Sequence, residues 1–176
     1  MITFVTGGSR SGKSAFAQQI AEGLDAPRLF IATCPRLDAE MDERILRHQR
    51  ERTGRDWETL EEPLRLAEQL NSVPAGTVVL IDCLTLWISN LMHEAAQAGK
   101  ELGEEQTAVL AAQLHAAARR HQGRTVIVSG EVGMGLVPDN PLARRFRDLA
   151  GRCNQVVAAG ADEVFFVCCG LPLRIK

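Results

Sequence analysis

Short apolar runs alternate with longer stretches of helical spacing along the chain. The runs are Ile2–Thr6, Arg28–Thr33, Thr77–Asp82, Thr125–Ser129 and Glu163–Cys169. In the clearest of them Val, Ile, Leu and Phe follow one another almost without interruption. That pattern predicts strands buried on both faces, as in a parallel sheet. Helical periodicity fills the gaps over Lys13–Gly23, Asp38–Arg52, Pro63–Leu70, Leu84–Gln97, Glu104–Gln122 and Pro141–Ala159. The alternation predicts an α/β fold, an open and mostly parallel sheet covered by helices on both sides. The closing "GLPLRIK" predicts a turn into a last edge strand, antiparallel to its neighbour. The only linker-like stretch, "AQAGKELGEE", is too short to divide the chain, so residues 1–176 read as a single domain.

Composition narrows the function classes. A chain of 176 residues buries an adequate core without metals or disulfides. Its formal net charge of −2 supplies no global field for nucleic acid or an anionic membrane, so any anion site must be local. The start, Met1-Ile2-Thr3-Phe4-Val5-Thr6, lacks the basic and long apolar regions of a signal peptide, and no later run reaches membrane-spanning length. Cys34, Cys83, Cys153, Cys168 and Cys169 lack zinc spacing. They predict reduced, mostly buried thiols and a cytoplasmic protein.

The strongest chemical signal is "GGSRSGKS", comprising Gly7, Gly8, Ser9, Arg10, Ser11, Gly12, Lys13 and Ser14. It fits G-x-x-x-x-G-K-[ST] between a predicted strand and a predicted helix, the context of a phosphate-binding P-loop. Backbone N–H groups and the helix N-terminus there form an anion cradle for the phosphates of ATP or GTP. Lys13 would reach the outer phosphates and Ser14 would ligate Mg²⁺. A second magnesium ligand is expected at the end of a hydrophobic strand. Asp82, closing "TVVLID", is the first candidate, and Glu131, after "TVIVSG", the second.

His48 lies in "RILRHQRERTGR" among several arginines. On a helix over Asp38–Arg52, Met41, Ile45, His48 and Arg52 share one stripe, so His48 continues the apolar face. Two readings stay open: an inward structural histidine, or a nucleophile beside a cleft. Arg44, Arg47 and Arg52 would oppose imidazole protonation, keeping a ring nitrogen free for attack. The same arginines would attract a polyphosphate and stabilise transferring charge.

Beyond these motifs, "FIATCPRLDAEMDERILRHQRER", "LIDCLTLWISNLM", "EVGMGLVP" and "LARRFRDLAGRCNQ" follow the P-loop in order. Together they resemble the bifunctional adenosylcobinamide kinase/adenosylcobinamide-phosphate guanylyltransferase family of cobalamin biosynthesis, from Ile2 to the final "LRIK". The resemblance implies a P-loop NTPase-type sheet and two reactions. The first is phosphorylation of adenosylcobinamide by a nucleoside triphosphate. The second is GMP transfer from GTP to adenosylcobinamide phosphate through a GMP-histidine, releasing pyrophosphate. It implies His48 as the nucleophile. It also implies a nucleotide site that includes Ala32, Thr33, Cys34, Gln49, Arg50, Glu51, Arg52, Glu61 and Asp82, although the residues alone leave Glu61 a solvated loop position. A homo-oligomer, a trimer in the family, is implied as well.

The alternative is a monofunctional P-loop kinase with His48 structural. A GTP-dependent switch is disfavoured. Its D-x-x-G match, Asp148–Gly151, falls inside a helical pattern, and no N-K-x-D motif occurs. His93, His115 and His121 lie in helical stretches without partners at ligand spacing and read as structural. Met134 reads first as packing, and the arginines Arg144, Arg145, Arg147 and Arg152 as solvated or ion-paired.

Overall fold

The computed structural model describes residues 1–34 and 54–176. The predicted Asp38–Arg52 helix, with His48, Gln49, Arg50, Glu51 and Arg52, lies outside the described residues.

The strands are β1 (Ile2–Gly7), β2 (Arg28–Ala32), β3 (Trp57–Glu61), β4 (Val78–Asp82), β5 (Thr125–Gly130), β6 (Glu163–Cys168) and β7 (Leu171–Arg174). The described helices are α1 (Lys13–Glu22), α2 (Leu66–Ser72), α3 (Leu84–Gln97), α4 (Glu104–Arg120) and α5 (Pro141–Gly160). The strands form one sheet in the order β3-β2-β4-β5-β1-β6-β7. Every pairing is parallel except β6 with β7, which is antiparallel as expected.

Strand alternation divides the core in two. Ile2, Phe4, Ile31, Val79, Ile81 and Ile127 point toward a large cluster that takes in Leu66 and Leu70 of α2, Leu84 and Trp87 of α3, Leu114 of α4 and Leu149 of α5. Val5, Phe30, Leu80, Val126, Val128 and Val167 face the other way, onto Ala17, Phe16 and Ile20 of α1. Both faces are therefore covered, which explains why the central strands read as continuous apolar runs. β1 is buried along its whole length.

β3 was not expected. "WETLE" has only weak alternation and is largely exposed, so the hydrophobic signal for a strand is faint. Its strand character comes from pairing with β2, from Arg28↔Trp57 to Ala32↔Glu61. Trp57 fastens it by an edge contact with Phe30 (centroids 6.2 Å apart) and by an indole N–H donated to Glu22 Oε1 at 3.1 Å.

α2 begins at Leu66, later than the predicted Pro63. The Glu62 carboxylate accepts hydrogen bonds from the backbone N–H groups of Leu64 and Arg65 at 2.9 and 2.8 Å. The residues after Pro63 thus form a side-chain-stapled turn before the helix starts.

The expectation of mostly buried thiols is also corrected. All five cysteines are free, and only Cys153 is fully buried. Cys168 and Cys169 are exposed where β6 turns into β7, with φ of 52° at Cys169 and 80° at Gly170. Two successive positive φ values are what a two-residue hairpin of right-handed twist requires.

Candidate active site

The P-loop leaves the sheet at the carboxyl end of β1. Gly7 is required there by space. A Cβ would stand less than 3.0 Å from the Val167 carbonyl oxygen and 2.8 Å from Ser11 Oγ. The chain then turns back, with Ser11 N–H donating to Gly8 O at 3.3 Å. It enters α1 through Gly12, whose φ of 93° favours glycine. The Lys13 ammonium reaches back across the loop to Gly8 O at 3.0 Å. The turn between β6 and β7 supports the loop from outside, since Gly170 N–H donates to Ser11 O at 2.8 Å. No acidic side chain occupies the first turn of α1. The helix N-terminus and Lys13 therefore form a local positive site in a chain of negative net charge.

Asp82 ends β4 and stands in register with Ala32, the last residue of β2. The next residues lock together: Thr33 Oγ1 accepts from Cys83 N–H at 2.7 Å and donates to Cys83 O at 2.8 Å. Asn90 of α3 adds a clamp, donating through Nδ2 to Thr33 O at 2.8 Å and to Pro63 O at 3.1 Å. Burial pushes the Cys83 thiol up to about 11. The Asp82 charge acts in the same direction and Lys13 opposes it. The P-loop after β1 and Asp82 at the end of β4 both lie at the carboxyl end of the parallel sheet, with β5 between their strands.

Of the other predicted positions, Ala32 and Thr33 lie at this end of the sheet, with Cys34 half-buried just beyond them. Glu61 is corrected from a loop residue to the last residue of β3, exposed and in register with Ala32. Asp148–Gly151 lies inside α5, so the switch motif is absent there, as expected. His121 and His115 direct Nε2 at the carbonyls of Thr77 (2.7 Å) and Gly160 (2.8 Å). His93 pairs with Gln97 at 3.0 Å. All three are structural. Arg144 donates to Pro138 O and Asp139 O, and Arg145 to Leu102 O, so neither guanidinium is committed to phosphate. Met134 does not pack; it is 78% exposed. The reason is that the chain from Val132 to Val137 runs over the surface without secondary structure.

Sequence reasoning missed Asn90, Thr85 and Asn154. Thr85 Oγ1 accepts from Gly130 N–H at 2.5 Å, and Asn154 Nδ2 donates to Gly130 O at 3.1 Å. Each is a polar residue interrupting the inward stripe of an amphipathic helix, a signal available from the sequence.

The oxygen donors suit magnesium. Among the described residues no group of three or more His, Cys, Asp or Glu side chains could hold a metal. Mg²⁺ does not need such a cage, because it commonly takes one or two protein oxygens and completes its shell with phosphate and water. Ser14 and Asp82 could supply those two oxygens. Ser11 Oγ, buried and without a hydrogen-bond partner among the described residues, is a further polar atom in the loop.

Comparison with known proteins matches the chain, over residues 3–175, to the family described as cobinamide kinase / cobinamide phosphate guanyltransferase. The Bifunctional adenosylcobalamin biosynthesis protein CobP of Pseudomonas aeruginosa is 39% identical, over 100% of this chain and 98% of its own length. The CobU proteins of the same description from Escherichia coli and Salmonella typhimurium are 38% and 40% identical, each over 100% of both chains. An ATPase from the type III secretion system of pathogenic bacteria shares the fold. Its TM-score is 0.58 at 12% identity, over 98% of this chain and 56% of that one.

Proposed function

The chain belongs to the cobinamide kinase / cobinamide phosphate guanyltransferase family, and from that premise we propose that it carries out both reactions on the one domain spanning residues 1–176. It phosphorylates the hydroxyl of adenosylcobinamide at the expense of ATP or GTP. It then transfers GMP from GTP to the resulting phosphate, giving adenosylcobinamide-GDP and pyrophosphate. The observation that carries this reading is the full-length match to bifunctional relatives, joined to a P-loop that opens at the same end of the sheet as Asp82.

In the kinase step the loop from Gly7 to Ser14 holds the triphosphate through backbone N–H groups while Lys13 draws charge from its outer end. Catalysis there is chiefly positioning and charge stabilisation. Ser14 and Asp82 would hold Mg²⁺, which when bound neutralises charge on the phosphates. In the transfer step His48 attacks the α-phosphorus of GTP. The Nε2 or Nδ1 bond to phosphorus forms as the bond to pyrophosphate breaks. The cobinamide phosphate oxygen then displaces the histidine, so one difficult displacement becomes two easier ones. Ala32, Thr33, Cys34, Glu61 and the stretch Gln49, Arg50, Glu51 and Arg52 complete the proposed nucleotide site. The protein is taken to work in the cytoplasm as a homo-oligomer, a trimer on the family's pattern. No described helix is long and apolar enough to cross a membrane.

GTP labelled at the α- or the γ-phosphate, incubated with the protein and Mg²⁺ and then denatured, tests this reading. Acid-labile, base-stable label from the α-phosphate alone, lost in His48→Ala, is expected. Protein that retains no label from either would leave a kinase without a guanylyl intermediate.

A further inference from the structure

Glu131 is tied to the phosphate loop and to two helices through its own backbone and that of Gly130. β5 lies between β1, which carries the P-loop, and β4, which carries Asp82. In register, Gly130 stands opposite Gly7 and Val128 opposite Asp82, so Glu131 emerges past the sheet between the two halves of the site. Its backbone N–H donates to Gly7 O at 2.9 Å, joining it directly to the start of the loop. The preceding peptide is gripped from both sides, by Thr85 Oγ1 on Gly130 N–H and Asn154 Nδ2 on Gly130 O. A side chain at Gly130 would meet Thr85 Oγ1 at 2.8 Å, so glycine is needed for that grip. Within the carboxylate, Oε1 accepts the Gly133 N–H at 2.8 Å. The side chain is thereby aimed, and Oε2 has no hydrogen bond among the described residues.

We propose that Glu131 is the group that receives the proton of the acceptor hydroxyl in the phosphorylation step. This rests on the kinase reading given above and extends it to a residue outside the proposed nucleotide site. Two features favour the acceptor over the nucleotide as the partner of Glu131. Lys13 and the α1 N-terminus meet the triphosphate from the β1 side, where a second carboxylate would repel phosphate. Beyond Glu131 the chain exposes Met134, Leu136 and Val137 (78%, 96% and 63%), an apolar strip suited to a bulky acceptor of low charge. In the step itself the hydroxyl oxygen bonds to the γ-phosphorus, and the bond from that phosphorus to the β,γ-bridging oxygen breaks. The bond's electrons leave with the nucleoside diphosphate. The hydroxyl proton passes to Glu131 Oε2 and afterwards to water.

Glu131→Gln tests the proposal, because the amide oxygen can still accept from Gly133 N–H while the proton acceptor is gone. The full-length protein would be assayed twice: for kinase turnover with adenosylcobinamide, and for self-labelling by α-labelled GTP without acceptor. The expected result is a fall in kinase kcat of about 10²- to 10⁴-fold, the usual worth of a positioned proton acceptor. Nucleotide KM and self-labelling should stay near wild type. Kinase kcat within about threefold of wild type would overturn the assignment. So would parallel loss of both activities, which would place Glu131 in the nucleotide or metal site. A wild-type protein that does not phosphorylate adenosylcobinamide would instead defeat the kinase reading, and the role of Glu131 with it.

Discussion

Replacing Gly7 by alanine isolates what the sheet requires of the phosphate loop. The new Cβ would stand closer than 3.0 Å to the Val167 carbonyl oxygen and 2.8 Å from Ser11 Oγ. Val167 is in register with Gly7 on the adjacent strand β6 and is fully buried, so its backbone cannot yield without disturbing the β1–β6 ladder. Overpacking of this kind costs about 1–3 kcal/mol. For a chain of this size, that is a melting-point drop of about 2–12 °C. The neighbouring Gly8 provides the control, because a Cβ there meets nothing within 4 Å. Gly8→Ala should change stability by less than about 1 kcal/mol, with any gain arising from a less flexible unfolded chain. Thermal and urea unfolding of both variants, followed by circular dichroism without nucleotide, makes the comparison. If Gly7→Ala melts with wild type, or Gly8→Ala falls as far, steric exclusion at Gly7 is not what shapes the loop.

Two further outcomes follow from groups away from the loop. The Ile2 N–H and the Arg119 guanidinium, both 2.7 Å from the Asp162 carboxylate, hold it below its ordinary value. A depressed carboxylate stabilises the fold above its unfolded value of about 3.9 and loses that contribution as pH falls through the lower folded value. Asp162→Asn should therefore be less stable than wild type at pH 6, with the gap closing below about pH 4 in urea titrations. Alkylation of the native protein at pH 8, read by mass spectrometry, should modify Cys168 and Cys169 first. Cys153, buried and pushed up to about 12, should react only after unfolding.

The parts of the fold legible from sequence were those whose burial is one-dimensional. β1, β4 and β5 are covered on both faces, so their apolar runs needed no knowledge of neighbours to be read. The P-loop was equally plain, because its glycines, lysine and serine are close in sequence as well as in space. β3 and Glu61 were not legible in this way. An exposed edge strand owes its conformation to hydrogen bonds with β2, and nothing in "WETLE" announces that partner. Asp82 could be picked out as a strand-end carboxylate, but its place relative to the P-loop strand depends on β5 being inserted between β1 and β4. The setting of Glu131 was hidden for a similar reason. Its anchors, Thr85 and Asn154, arrive from α3 and α5 and meet at Gly130 only in the folded chain. The exposure of Cys168 and Cys169 follows from a tight hairpin, whereas composition alone points cysteine inward.

The order of strands also bears on when the phosphate cradle comes into being during synthesis. The cradle is synthesised before the strands that support it, since β1 pairs with β5 and β6, which begin at Thr125 and Glu163. The groups that brace its loop, Glu131 N–H on Gly7 O and Gly170 N–H on Ser11 O, come from the same late portion of the chain. A nascent chain ending before Thr125 has β2 and β4 available to pair with one another, but β1 has no neighbour. Such distant pairings carry the loop-closure cost that slows folding. The phosphate cradle is therefore completed only once β5 and β6 are available, and a chain lacking them has no braced loop at the end of β1.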